Sequence, residues 1–310
     1  MKIVVVGPGA MGLLLYGLLS RTRHDVLVLD KDPARAASLA KNGIRIEGLW
    51  NAKFADVQIT TDPATGKDAD FWFVCVKSYD TKSVIRHISP HVSPQSCIVS
   101  FQNGAGNIEL LSDAFGESRV ILAVTNLGAT LVEEGVSRYT GEGDVILGRV
   151  DGSLGVELKT LRELFQKAKL AVKLSRDIHA VLWSKLIINA GINAVAAVTR
   201  LKNGKIMACE GSRRIAEGAI TEAHKVAKRK RIKLLYDDVL AKAESVCEAT
   251  AENVSSMLAD VLRKKPTEID AINGAIVRQA QSLGIKTPVN AFLVDLVKTI
   301  ESNYAQEVAT

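Results

Sequence analysis

Cysteine and histidine are too scarce and too badly spaced in this 310-residue chain for cross-linking or metal chemistry. Its four cysteines, Cys75, Cys97, Cys209 and Cys247, form no CxxC pair, and its five histidines form no HExxH motif, while the one HxxxH spacing, His87 to His91, has no cysteine or third histidine near it in sequence. Neither a disulfide framework nor a metal site is expected. Proline occurs seven times and there is no low-complexity tract, which argues against disordered and fibrous classes. Charge is also near balance, with a net +6 spread along the chain. That excess suits small anions, and without any recognition motif no nucleic-acid partner is expected. The opening MKIVVVGPGAMGLLLYGLLS begins like a leader, yet glycines and a proline interrupt its apolar run and no small-x-small site closes it. No stretch reaches the roughly 18 uninterrupted apolar residues of a membrane span. The expectation is a cytoplasmic protein with no membrane partner.

What is present is a hydrophobic content of 47% in a length that exceeds one ordinary core, so two domains are expected. The first half alternates β-branched runs with helical patterns, as βαβ units around a buried parallel sheet do. The runs are Ile3 to Gly7, Val26 to Asp30, Phe71 to Lys77, Cys97 to Gln102 and Val120 to Val124, with helices at Met11 to Ser20 and Pro33 to Asn42. Short segments at Arg138 to Tyr139, Val145 to Arg149 and Ala171 to Leu174 read as an antiparallel extension of that sheet. From Asp177 onward the apolar spacing becomes three and four residues. Helices are expected over Asp177 to Thr199, Glu210 to Lys230, Tyr236 to Ala249, Asn253 to Leu262, Thr267 to Leu283 and Pro288 to Asn303, with breaks at Asn203-Gly204, Lys265-Pro266 and Gly284 to Pro288. The fold class is therefore α/β: an N-terminal Rossmann-type dinucleotide-binding domain over residues 1–176 and a C-terminal all-helical substrate and catalytic domain over residues 177–310.

Gly7-Pro8-Gly9-Ala10-Met11-Gly12 follows the first run and opens a helix, the context in which GxGxxG signals a dinucleotide site. Gly7 suits the tight turn, Gly9 the approach of a pyrophosphate and Gly12 close packing of helix on strand. The end of the second strand reads Leu29-Asp30-Lys31. An acid there suits the ribose 2′-OH of NAD(H), whereas Lys31, and Lys77 at a later strand end, suit the 2′-phosphate of NADP(H). Asn103-Gly104 lies at a carboxyl strand end, where an amide can meet a ligand or simply form a turn.

Lys185, Asn189 and Asn193 stand at i, i+4 and i+8 in an otherwise apolar helix and share one face. Burying a lysine and two amides without partners is costly, so the stripe is expected to line a polar cleft. A lysine there suits reduction of a carbonyl, because it can stabilise the developing alkoxide and donate the proton. Asn253, Ser256 and Asp260 also share a helical spacing. Thr267 and Asp270 have a capping-type spacing, which leaves Glu268 readable as a first-turn acid.

Together these segments resemble the ketopantoate reductase family. The similarity rests on GPGAMG, VKSYDT at Val76 to Thr81, QNGAGN at Gln102 to Asn107, KLIINAGINAV at Lys185 to Val195, NGK at Asn203 to Lys205, and ENVSSMLADV followed by KPTEIDAINGAI. The resemblance implies reduction of 2-dehydropantoate to pantoate, a small 2-keto acid substrate, and a place on the route to coenzyme A. It makes Lys185 the general acid, with Glu268 beside it contacting substrate hydroxyl or cofactor. It assigns Gly7, Pro8, Gly9, Ala10, Met11, Gly12, Lys31, Lys77 and Asn103 to the cofactor. Asn103, Asn189, Asn193, Asn203, Asn253 and Ser256 fall to the substrate. NADP(H) is expected, with NAD(H) open because Asp30 precedes Lys31. A related reductase of another 2-keto or 3-hydroxy acid, and a non-catalytic NAD(P)-binding sensor, are the alternatives. The apolar helices leave a homodimer open.

Overall fold

A computed structural model of the chain describes residues 1–306, which divide into two compact units. The first comprises Met1–Gln102 and Asn107–Ile178, and the second Asn103–Gly106 and His179–Thr310.

In the first unit the strands are β1 (Lys2–Val6), β2 (Asp25–Leu29), β3 (Ile44–Gly48), β4 (Ala52–Phe54), β5 (Ile59–Thr60), β6 (Phe71–Val74), β7 (Cys97–Ser100), β8 (Val120–Thr125), β9 (Gly128–Glu133), β10 (Val136–Gly141), β11 (Val145–Gly148) and β12 (Val172–Leu174). Its helices are α1 (Ala10–Leu19), α2 (Pro33–Asn42), α3 (Thr81–Ile88), α4 (Asn107–Phe115) and α5 (Val156–Lys167). An eight-stranded sheet runs β12-β11-β8-β7-β6-β1-β2-β5. Its central strands pair in parallel, and Ile3, Val4, Val5, Trp72 and Phe73 are fully buried, as parallel strands covered on both faces require. The order reverses between β1 and β6, the switch point at which such sheets bind ligands.

The antiparallel extension is narrower than the spacing predicts. β11 runs antiparallel to β8, and β12, parallel to β11, runs in the same opposed direction, so two of the three expected segments form the extension. Arg138 and Tyr139 lie instead in a separate four-stranded sheet, β4-β3-β10-β9, whose strands at 44–54 and 128–133 go unread in the sequence. Ile46 and Phe54 of this sheet meet Gly17 of α1. Helix α1 is apolar all round, with eight of its ten residues buried. The second sheet gives it the cover that such a helix needs.

The second unit holds α6 (Ile178–Thr199), α7 (Asn203–Ile206), α8 (Glu210–Arg229), α9 (Val239–Ala249), α10 (Ser256–Leu262), α11 (Asn273–Ser282) and α12 (Pro288–Ser302). By length and composition α6 could cross a membrane, but 83% of its most apolar window is buried in protein, so it is the central helix of this unit. Three helix starts shift from the periodicity. Asp238 caps α9, accepting from Leu240 N and Ala241 N, and moves its start from Tyr236 to Val239. Ser255 caps α10, so Asn253 lies outside that helix and does not share a helical face with Ser256 and Asp260. Residues 267–272 are turns, because Thr267 Oγ1 accepts from Ile269 N at 3.1 Å and Glu268 O from Ala271 N at 3.0 Å; α11 starts only at Asn273. The expected break at Asn203-Gly204 is the short helix α7.

Candidate active site

In the first unit, the loop Gly7 to Gly12 joins β1 to α1. Gly7 has φ +96°, a value open to glycine and strained for other residues. A Cβ on Gly12 would lie 2.0 Å from Gly7 O, so only glycine lets the helix sit this close to the turn. The N-cap of α1 is Gly9, no side chain caps the helix, and a Cβ on Gly9 would meet nothing within 4 Å. The ten-residue helix thus starts at an N-terminus that no side chain caps, with open space beside Gly9, which fits a dinucleotide pyrophosphate. Pro8 is buried, and Ala10 and Met11 begin the helix half-buried. The residues present therefore fit a dinucleotide cofactor.

The ribose end of this site departs from a simple reading of Asp30. Its side chain is 1% exposed, and Arg35 Nε donates to Oδ2 at 2.6 Å while Arg35 Nη2 donates to Oδ1 at 2.5 Å. Lys31 is 64% exposed and paired with Asp80 at 2.8 Å. Sequence reasoning missed Arg35, although its place in the first turn of a proline-initiated helix was the available signal.

Lys77 is half-buried after β6. The segments VKSYDT and QNGAGN meet here in a buried relay. Gln102 Nε2 donates to Val76 O at 3.1 Å and to Thr81 Oγ1 at 2.7 Å. Thr81 Oγ1 donates to Asn107 Oδ1 at 2.8 Å, and Asn107 Nδ2 to Ser78 Oγ at 3.0 Å. This relay holds the backbone on either side of Lys77 and up to the residue before Asn103.

The second unit brings Lys185, Asn103 and Glu268 together. Ala105 N donates to Ala271 O at 2.8 Å, which ties the Asn103–Gly106 segment to the turns that carry Glu268. Gly104, with φ +84°, is required there because a Cβ would come within 2.5 Å of Ala271 O. Lys185 Nζ on α6 donates to Asn103 Oδ1 at 3.0 Å. Burial lowers the Lys185 pKa to about 8, and the negative charge of Glu268 opposes that shift. Glu268 is itself buried, at 6% exposure. A half-buried ammonium with an acid near it and a pKa depressed toward neutrality is the equipment of a general acid.

Asn189 and Asn193 follow Lys185 along the same face of α6, half-buried and buried respectively, among fully enclosed Leu186, Ile187, Ala190 and Ile192. Asn273, which the sequence reading did not single out, fixes this helix from behind: its Nδ2 donates to Ala190 O at 3.0 Å and to Asn290 Oδ1 at 3.1 Å. Glu222 completes the buried network by accepting from Val289 N, Asn290 N and Asn290 Nδ2.

Asn203 and Asn253 also meet, since Asn203 N donates to Asn253 O at 3.0 Å. Asn203 Nδ2 donates to Thr250 Oγ1 at 3.0 Å, while its Oδ1 is buried without a hydrogen-bond partner among the described residues. Ser256 is exposed at the first position of α10. Among the described residues no group of three His, Cys, Asp or Glu could hold a metal.

Comparison with known proteins gives the same two-part division. The family model described as ketopantoate reductase PanE/ApbA matches residues 3–152, and its C-terminal counterpart matches residues 177–301. The 2-dehydropantoate 2-reductase of Archaeoglobus fulgidus is 34% identical, with 97% of this chain and 98% of that protein covered. The crystal structure of a PanE/ApbA family ketopantoate reductase from Ralstonia eutropha JMP134 is similar with a TM-score of 0.90 at 30% identity, covering 99% of this chain and 100% of that one. A D-mandelate dehydrogenase solved with NADH and anilino(oxo)acetate shares the fold, with a TM-score of 0.91 at 22% identity over 98% of this chain and all of that one.

Proposed function

Because the chain belongs to the ketopantoate reductase family, we propose that it reduces the C2 carbonyl of 2-dehydropantoate to the hydroxyl of pantoate, with NADPH preferred over NADH. The observation that carries this reading is the half-buried Lys185 ammonium, bonded to Asn103 Oδ1 at 3.0 Å and within the field of Glu268. The nicotinamide cofactor supplies the hydride when bound. Lys185 Nζ hydrogen-bonds the carbonyl oxygen, stabilises the negative charge that grows on it and donates the proton that completes the alcohol. A single preorganised donor of this kind is worth about 2.7–4 kcal/mol in the transition state.

Asn103 accepts from the same ammonium through Oδ1 and so aims it. Glu268 opposes the burial penalty and keeps Lys185 protonated near neutral pH. Asn189, Asn193 and Asn253 orient the substrate carboxylate and hydroxyl without adding charge. Asn203, through its buried Oδ1, and Ser256, exposed at the start of α10, complete the proposed substrate set. In the first unit, Gly7 to Gly12 hold the pyrophosphate, and Lys31 and Lys77 contact the cofactor. Four unpaired cysteines support a place in the reducing cytoplasm.

The test is loss of nicotinamide absorbance with purified protein and 2-dehydropantoate, run in parallel with NADPH and NADH. Faster oxidation of NADPH is expected. Faster oxidation of NADH would overturn the cofactor preference, and no oxidation of either would overturn the substrate.

A further inference from the structure

Asp30 and Arg35 sit where the adenosine ribose of a Rossmann cofactor is read, at the carboxyl end of β2. An acid at that point ordinarily accepts from the 2′-OH. Here, however, the Asp30 carboxylate is 1% exposed and carries three donors: Arg35 Nε on Oδ2, and Arg35 Nη2 and Asp32 N on Oδ1. Arg35 is held in place from its own backbone, since Asp32 Oδ1 caps α2 by accepting from Ala34 N and Arg35 N. The neighbouring acids are committed as well, Asp32 to the cap and Asp80 to Lys31. Glu134 lies near enough to add to the field on Arg35.

The guanidinium is a different matter. The Arg35 side chain as a whole keeps 34% of its surface. Two of its five N–H groups go to Asp30, and the remaining three are free in direction for a planar, multidentate contact with phosphate oxygens.

We infer that Arg35, braced by Asp30, is the residue that sets cofactor specificity at the 2′ position: it offers its guanidinium to a 2′-phosphate and withholds Asp30 from a 2′-OH. The inference rests on the dinucleotide-site reading of the first unit. It also removes the apparent conflict of an acid beside a 2′-phosphate, because the acid enters the site already neutralised.

The test uses the full chain and the adenosine halves of the two cofactors, 2′,5′-ADP and 5′-AMP, titrated by calorimetry, so that turnover plays no part. Wild-type protein is expected to bind 2′,5′-ADP more tightly. Arg35→Ala is expected to lose about tenfold or more in 2′,5′-ADP affinity and to bind 5′-AMP as well as before or better, since Asp30 is uncovered. Because that variant leaves a buried carboxylate unpaired and could unfold, the double variant Asp30→Asn/Arg35→Ala is measured beside it. The double variant should show the same loss for 2′,5′-ADP without any gain for 5′-AMP. Equal losses for both probes, or wild-type affinity for 2′,5′-ADP in the double variant, would overturn the assignment, as would tighter wild-type binding of 5′-AMP. Failure of wild-type protein to bind either probe would overturn the dinucleotide-site reading together with it.

Discussion

Lys185 Nζ donates to Asn103 Oδ1 at 3.0 Å across 82 positions of sequence. The pair joins a lysine in the middle of α6 to the residue that follows the Gln102 relay. A carbonyl oxygen placed at that ammonium meets a donor whose direction is already set.

Replacing Lys185 with methionine keeps the apolar stem of the side chain and removes the ammonium with its proton. Turnover should fall by about 10²–10⁴-fold, while binding of the cofactor, proposed to sit at the glycine turn of the first unit, stays near wild type. A variant turning over within tenfold of wild type would remove Lys185 from the role of acid.

The pH dependence follows from the direction of its shift. Burial lowers the Lys185 pKa to about 8, and the ammonium, the active form, is present below that value. The kcat/KM profile, which reports the free enzyme, should be flat below about 8 and decline above it. Glu268 acts in the raising direction, so Glu268→Gln should move the inflection to lower pH. An inflection unmoved or displaced upward in that variant would show that Glu268 does not sustain the charge.

Gly104→Ala places a Cβ 2.5 Å from Ala271 O at a residue with φ +84°. Backbone strain of this kind costs about 1–3 kcal/mol, and the Asn103–Gly106 segment must shift to relieve it. The expected outcome is a lower Tm together with reduced kcat, as Asn103 is carried away from Lys185. Loss of stability with kcat intact would mean that the exact seat of Asn103 is unimportant.

Glu222→Ala leaves Val289 N and Asn290 N without their acceptor in a largely buried setting, and Asn290 Nδ2 with Ala219 O alone. Each stranded group costs about 1–3 kcal/mol, so unfolding by urea should show a loss of about 2–5 kcal/mol. A change below about 1 kcal/mol would indicate that α12 finds other partners for its first turn.

Periodicity read the central sheet and the long helices well, because parallel strands buried on both faces and helices packed around a core must carry near-continuous or three-to-four spaced apolar residues. It failed where a short polar contact overrides the pattern. Thr267 Oγ1 turns the chain before α11, and Asp238 and Ser255 delay the starts of α9 and α10. It also missed the four-stranded sheet, whose strands are short and partly exposed. The hint was α1 itself, a helix with no polar face and therefore in need of a second cover.

The amino-acid sequence by itself determined the two-part organisation, the glycine turn before α1 and the polar stripe of Lys185, Asn189 and Asn193, because each follows from local geometry over at most a few turns of chain. Only the tertiary structure decided that Asn103 and the Glu268 turns converge on Lys185, that Asn273 and Glu222 lock the helices behind it, and that Asp30 is bound up by Arg35. Those pairings depend on which side chains fold toward one another and on the water that burial removes. Spacing along a sequence carries neither: an aspartate and an arginine five residues apart read as two surface charges until a capped helix turns one onto the other.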